Sequence, residues 1–281
     1  MNDVAAPCRH PAAAKMSQRF PLITVAHPPI PPAVAGWPSP HPCVRMQSTA
    51  FARRAGHSLW TGWIRPLALP ALAILAAKSA LADINYVPSG SMKPTLLEGD
   101  VVVVNKLAYD LKLPFTRFRL AAWSQPARGD IVVCFSPEND MRLVKRVVAL
   151  AGDTIELRDD VLFLNGQRLD YTPLAPKAAG VRDLEPTERR GAIFARETLG
   201  AHVHSLMVLP DRPARRNFGP VVVPAGQCLV LGDNRDNSHD SRYFGFMPCH
   251  AIVGRAEAVF VSGDLHNWLR PRFDRFCTAL N

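Results

Sequence analysis

Up to residue 58 the chain shows no helical or strand period. Apolar and polar positions alternate irregularly around ten of the 26 prolines, in runs such as Pro28-Pro29-Ile30-Pro31-Pro32. A segment that cannot gather an apolar face predicts disorder over 1–58. No apolar core follows its first basic residues, so it does not read as a cleaved leader. Met46 opens a shorter segment that could be the true translation start. From Trp60 to Ala82 almost every position is apolar, with Arg65 and Lys78 as the interruptions. The unbroken core, 66–77, reaches only about 18 Å as helix against roughly 30 Å of hydrocarbon. A spanning helix must therefore use its flanks, with Arg65 and Lys78 reaching toward opposite interfaces and Trp60 and Trp63 in the aromatic belt. The pattern predicts one membrane-anchor helix over 59–82; the alternative is a buried or interfacial helix.

Beyond Asp83 the period changes to that of strands. Val101-Val102-Val103-Val104 after Gly99-Asp100, and Ile131-Val132-Val133-Cys134-Phe135 after Gly129-Asp130, read as fully buried strands. Val161 to Leu164, then Asn165-Gly166, then Gln167 to Tyr171 is a hairpin with a type I′ turn. Val221-Val222-Val223, Cys228 to Leu231 and Ile252 to Val261 supply further strands. Residues 172–219 are rich in Pro and Arg with weak periodicity and read as an insertion or cap. The expectation for 83–281 is a mainly β, antiparallel domain carrying that insertion.

Composition narrows the functional classes. The net charge of +9 suggests nucleic acid until its distribution is read. Arg9, Lys15, Arg19, Arg45, Arg53 and Arg54 against Asp3 put +5 of it in residues 1–58. Basic residues flanking an apolar stretch set membrane orientation, so the expected partner is a lipid bilayer and not nucleic acid. With Arg53 and Arg54 held inside, 83–281 is expected on the outer side of the membrane. The six cysteines, Cys8, Cys43, Cys134, Cys228, Cys249 and Cys277, form no CxxC pair or zinc spacing. A disulfide among Cys134, Cys228 and Cys249, or buried free thiols, are both open readings.

Three blocks carry chemistry. In Pro88-Ser89-Gly90-Ser91-Met92-Lys93-Pro94-Thr95-Leu96 two prolines fix the backbone and Gly90 allows a sharp bend that exposes a serine hydroxyl. Alone, it would read as an ordinary Ser/Gly/Pro loop. In Leu143-Val144-Lys145-Arg146-Val147, strand geometry puts Lys145 on one face with Leu143 and Val147, and Arg142, Val144 and Arg146 on the other. An unperturbed lysine is roughly 0.04% neutral at pH 7, and only the neutral amine accepts a proton. Apolar neighbours lower its pKa by desolvation. The third block, Gly232-Asp233-Asn234-Arg235-Asp236-Asn237-Ser238-His239-Asp240-Ser241-Arg242, is too polar for a strand. It is no calcium loop, because Arg235, Ser238 and Phe244 stand where an oxygen ligand, Gly and Glu are needed. Lys93 is a competing base, and Ser91, His239 and Asp240 a competing triad, although neighbours in sequence rarely face each other. His202 and His204 alternate and read as surface residues.

In order and in length these blocks resemble the bacterial type I signal peptidases, membrane-anchored Ser-Lys proteases, over about residues 60–281. The resemblance implies a serine endopeptidase that removes signal peptides from exported preproteins after Ala-X-Ala-type sites, at the outer face of the cytoplasmic membrane, with no metal or organic cofactor. It gives Ser91 the role of nucleophile and Lys145 that of general base. Ser89, with the Ser91 backbone N–H, is implied for the oxyanion. Ser238 is implied to hydrogen-bond the Lys145 amine, while Asp240 and Arg242 form an ion pair in one network with Asp233. Val87, Pro88, Met92, Leu96, Leu143 and Val144 are implied as the apolar lining that admits alanine before the scissile bond. Lys93 lies outside the family's pattern. The rival readings are a dedicated Ser-Lys processing peptidase, as in pilin maturation or a self-cleaving repressor, and an inactive membrane-tethered β scaffold.

Overall fold

The computed structural model describes residues 65–175, 178, 180–265 and 267–280. The expectations for 1–58, for Trp60 and Trp63, and for Cys8 and Cys43 lie outside them. The first element is a helix, Arg65–Leu81, of 17 residues, or about 26 Å at 1.5 Å per residue. Leu and Ala supply its helix propensity, and Pro70 sits inside it. Leu67, Leu69, Leu72, Ile74 and Leu75 are all exposed. Among the described residues no helix is long and apolar enough to cross a membrane.

The helix runs directly into a central sheet in the order Ala82–Tyr86, Asp100–Asn105, Ile252–Asp264, Ile131–Phe135, Arg142–Leu150, Gln227–Leu231, Met247–Pro248. Every adjacent pair is antiparallel, as the strand pattern predicts. Arg142 Nη1 donates to Asn85 Oδ1 at 2.5 Å and Asp83 Oδ2 at 3.3 Å, although those strands stand well apart in the sheet order. The sheet therefore curls and brings its first strand opposite the start of Arg142–Leu150.

Burial follows position in the curl. Ile131–Phe135 is buried on both faces, as expected. Asp100–Asn105 is not: its burial alternates, with Val102 and Val104 inside and Val101 and Val103 half-exposed. One apolar cluster joins Val87, Met92, Leu96, Val102, Val104, Ile131 and Val133, with Val144 against it. On the other side of Ile131–Phe135 and Arg142–Leu150, a second holds Val132, Cys134, Val147, Cys228 and Val230, with Leu143 against it. The hairpin turn falls at Asn165 and Gly166, with φ of 51° and 78°, the positive pair a type I′ turn requires.

The stretch 172–219 is more regular than its composition suggests. Asp170–Pro173, Ile193–Leu199 and His202–Val208 form a three-stranded antiparallel sheet. Phe218–Val222 joins a second small sheet beside Thr154–Arg158.

Candidate active site

Ser91 sits in a short 3₁₀ turn, Gly90–Met92. Met92 and Leu96, which follow the serine, drop into one core cluster, and the Leu96 N–H donates to the Met92 carbonyl at 2.9 Å. These anchors leave the serine half-buried while its neighbours Pro88 and Ser89 are exposed.

Lys145 comes from the middle of Arg142–Leu150. Its side chain is buried, and Nζ donates to Ser91 Oγ at 2.7 Å. Burial pushes the amine below the ordinary lysine range, against the opposing pull of the Asp240 and Asp233 carboxylates. The face shared with Leu143 and Val147 is apolar, as the sequence predicts. The opposite face is not open to water, because Arg146 is fully buried as well. Arg146 Nε and Nη2 bind both oxygens of Asp233 at 2.9 and 2.8 Å, and Nη1 donates to the Gly129 carbonyl at 2.7 Å.

The 232–242 loop closes over the serine turn. The Asn234 N–H donates to the Ser91 carbonyl at 3.1 Å, and Asn234 Nδ2 donates to the Gly90 carbonyl at 3.0 Å. Gly232 makes this approach possible. A Cβ there would lie 2.4 Å from the Ser91 carbonyl oxygen and 2.3 Å from Ser238 Oγ, so the loop packs against the turn only because position 232 has no side chain. Asp240 and Arg242 form a bidentate buried pair at 2.9 Å for both contacts, and Asp240 also accepts the Gly232 N–H at 3.1 Å. Burial raises the Asp240 carboxyl, but Arg242 outweighs it and holds the group below its ordinary value. Asp233 behaves the same way, with Arg146 as the counter-charge. Thr95 Oγ1 donates to Asp233 at 2.5 Å.

The structure sorts the remaining candidates. Ser89 Oγ lies 3.5 Å from Ser91 Oγ. Ser238 Oγ is buried against Gly232 and faces the Asp240 carboxylate; the expected hydrogen bond to the Lys145 amine is not formed. Lys93 is buried but taken up by Glu188 at 2.5 Å and Glu98 at 3.2 Å. His239 is exposed, pairs with Glu138 at 2.9 Å and stacks on Tyr243, while Asp240 is committed to Arg242. A Ser91-His239-Asp240 triad is therefore not assembled. Of the apolar lining, Val87, Met92, Leu96 and Val144 pack together. Pro88 is exposed, and Leu143 packs in the cluster on the other side of the sheet. A cavity of about 850 Å³ lined by Lys106, Phe115, Arg119, Phe135 and Arg142 contains neither Ser91 nor Lys145.

His204 is a correction. It is buried, not on the surface, because the His202–Val208 strand carries it inward to within 3.3 Å of Glu197 and 3.9 Å of Asp233; His202 is exposed. Sequence reading also missed Arg146, Thr95 and Asn234 as members of the site. Arg146 had a signal available, since a second cation in an otherwise apolar run needs a buried partner. Cys134, Cys228, Cys249 and Cys277 are free thiols. Among the described residues no cluster of three or more His, Cys, Asp or Glu could hold a metal ion.

The model of the family described as signal peptidase, peptidase S26, matches residues 60–261. A signal peptidase I of Pseudomonas fluorescens is 36% identical over 211 residues, covering 71% of this chain and 70% of the relative. One from Pseudomonas aeruginosa is 36% identical over 201 residues, covering 67% and 68%. One from Aquifex aeolicus is 33% identical over 221 residues, covering 69% and 81%.

Proposed function

The chain belongs to the signal peptidase family, peptidase S26, and from that premise we propose that Ser91 is its nucleophile and Lys145 its general base. It is a serine endopeptidase that removes signal peptides from preproteins. The observation that carries the residue roles is the 2.7 Å contact between Ser91 Oγ and an amine that burial holds below its usual range. Lys145 takes the Ser91 proton as Oγ bonds to the scissile carbonyl carbon. The tetrahedral oxyanion is met by the Ser91 backbone N–H and the Ser89 hydroxyl. Lys145 returns the proton to the departing amine as the peptide C–N bond breaks. Water, deprotonated by the same amine, then hydrolyses the acyl-enzyme. Ser238, buried beside Gly232 and Asp240, orients the Lys145 amine. Asp233, Asp240 and Arg242 hold the loop.

The substrate strand lies extended beside these elements. The small apolar lining from Val87, Met92, Leu96 and Val144, with Pro88 exposed before the turn, favours alanine, hence Ala-X-Ala sites. Residues 59–82 anchor the enzyme in the cytoplasmic membrane, with the N-terminus inside and 83–281 outside. The support is the exposed leucine surface of Arg65–Leu81, which water disfavours, together with Arg53 and Arg54 before it. The purified chain should cut a peptide with Ala-X-Ala before the scissile bond, and Ser91→Ala should not; cleavage by that variant would end the assignment. Protease added outside spheroplasts should digest the β domain, and a protected β domain would overturn the topology.

A further inference from the structure

The inserted sheet sends a charged cluster into the interior behind the serine turn. Glu197 on Ile193–Leu199 and His204 on His202–Val208 face each other in register, and both are buried. Glu197 Oε1 accepts from Arg235 Nη2 at 2.6 Å, and Oε2 accepts from the Tyr171 hydroxyl at 2.5 Å. His204 Nε2 lies between Glu197 Oε1, at 3.3 Å, and Asp233 Oδ1, at 3.9 Å. Burial alone would raise the Glu197 carboxyl, but Arg235 and His204 outweigh it and hold the group well below the usual carboxylate range.

Arg235 is as deeply buried as Glu197, and its Nε and Nη1 have no hydrogen-bond partner. Its counter-charge at contact distance is Glu197. The residues just before it grip the reacting turn. Asp233 is fixed through its side chain by Arg146 and Thr95. Its carbonyl accepts the Met207 N–H at 2.8 Å, and Asn234 holds the carbonyls of Gly90 and Ser91.

We propose that Glu197, supplied by the inserted sheet, is a positioning residue for peptide cleavage: through Arg235 it fixes the backbone of 233–235 and so sets Ser91 against Lys145. The proposal rests on the reading of Ser91 as nucleophile. Without the Glu197 charge, Asp233 remains as a carboxylate that pulls on the buried guanidinium. It would then compete with Arg146 and draw the 233–234 segment away from the turn. A displacement of about 1 Å at a reacting group costs on the order of 10²-fold in rate.

The test is a cycle of Glu197→Gln, Arg235→Gln and the double variant in the full chain, assayed on an Ala-X-Ala peptide well below each variant's melting temperature. Glu197→Gln should lower kcat by about 10- to 100-fold with KM within about twofold. In the Arg235→Gln background the same change should cost less than about twofold, since no buried cation is left for Glu197 to fix. If Glu197→Gln does not fold, comparing Arg235→Gln with the double variant carries the test, because removing both partners of a buried pair is far milder than removing one. An unchanged kcat, a loss confined to KM, or a loss that multiplies in the double variant would each overturn the proposal. Ser91→Ala, run in parallel, separates the two levels. If it still cleaves, the nucleophile assignment fails, and the Glu197–Arg235 coupling is still read directly from the cycle.

Discussion

Two lysines approach the same serine turn, and both are buried. Lys93, two residues after Ser91, lies between Glu188 of the inserted segment at 2.5 Å and Glu98, just beyond the serine turn, at 3.2 Å, which neutralise it. Lys145, from the central sheet, meets the Ser91 hydroxyl at 2.7 Å and, among the described residues, no carboxylate at contact distance, with Leu143, Val147 and Cys134 on its face. Desolvation disfavours a charge in both places, and in only one is an opposite charge supplied at contact distance. Burial alone does not make a base; burial without a matching carboxylate does. Asp233 and Asp240 lie close enough to pull on Lys145, but Arg146 and Arg242 claim them first.

The most severe way to break this contrast is to remove each amine in turn. Lys145→Met and Ser91→Ala should each reduce kcat/KM by about 10³-fold or more, since a positioned base alone contributes on the order of 10²–10⁴. Lys145→Arg should be equally inactive, because a guanidinium does not deprotonate in proteins. Lys93→Met should stay within about threefold of wild type, as its partners are structural. Steady-state kinetics on the Ala-X-Ala peptide decides between them, and a dead Lys93→Met beside an active Lys145→Met would invert the assignment.

The pH dependence comes next in size. Neutral Lys145 is the active form and its pKa is lowered, so log kcat/KM should climb by about one per pH unit through the acid limb and level off below the ordinary lysine value. Lys93→Met should leave that limb in place. A limb that vanishes in His239→Ala would transfer the base to histidine.

Stability should separate the two lysines by sign. The folded state holds Lys145 with a lower pKa than the unfolded chain does. The wild type therefore loses stability as pH falls through the unfolded value, and the cost levels off below the folded one. Near neutral pH, Lys145→Met should melt about 2–4 °C higher than wild type and Lys93→Met about 2–4 °C lower, each corresponding to roughly 1 kcal/mol. Thermal melts followed by circular dichroism check this, and equal shifts of one sign would erase the distinction. The smallest effect belongs to His239→Ala. With its ring exposed and paired to Glu138, activity should stay within about twofold of wild type, because surface changes of this kind are nearly neutral.

Local rules were enough for the strands and for the chemistry of single positions. The β periods of 101–104, 131–135 and 228–231, the positive-φ turn at Asn165-Gly166, and the apolar company of Lys145 are short-range properties that the order of residues carries. The serine turn and the 232–242 loop were legible for the same reason, each being a contiguous block. What the sequence left open was pairing across distance. The Arg146–Asp233 and Glu197–Arg235 pairs, the burial of His204, and the assignment of Lys93 to Glu188 rather than to Ser91 join segments with no shared period. Residues 172–219 misled because Pro and Arg lower the apparent periodicity, while Glu197 and His204 look exposed until a partner is supplied. The amino-acid sequence determined which groups can accept a proton, bend or carry charge. The tertiary structure decided which charges cancel, because compensation in a buried site depends on distances of 2.5–4 Å that only the curled sheet and its inserted strands establish.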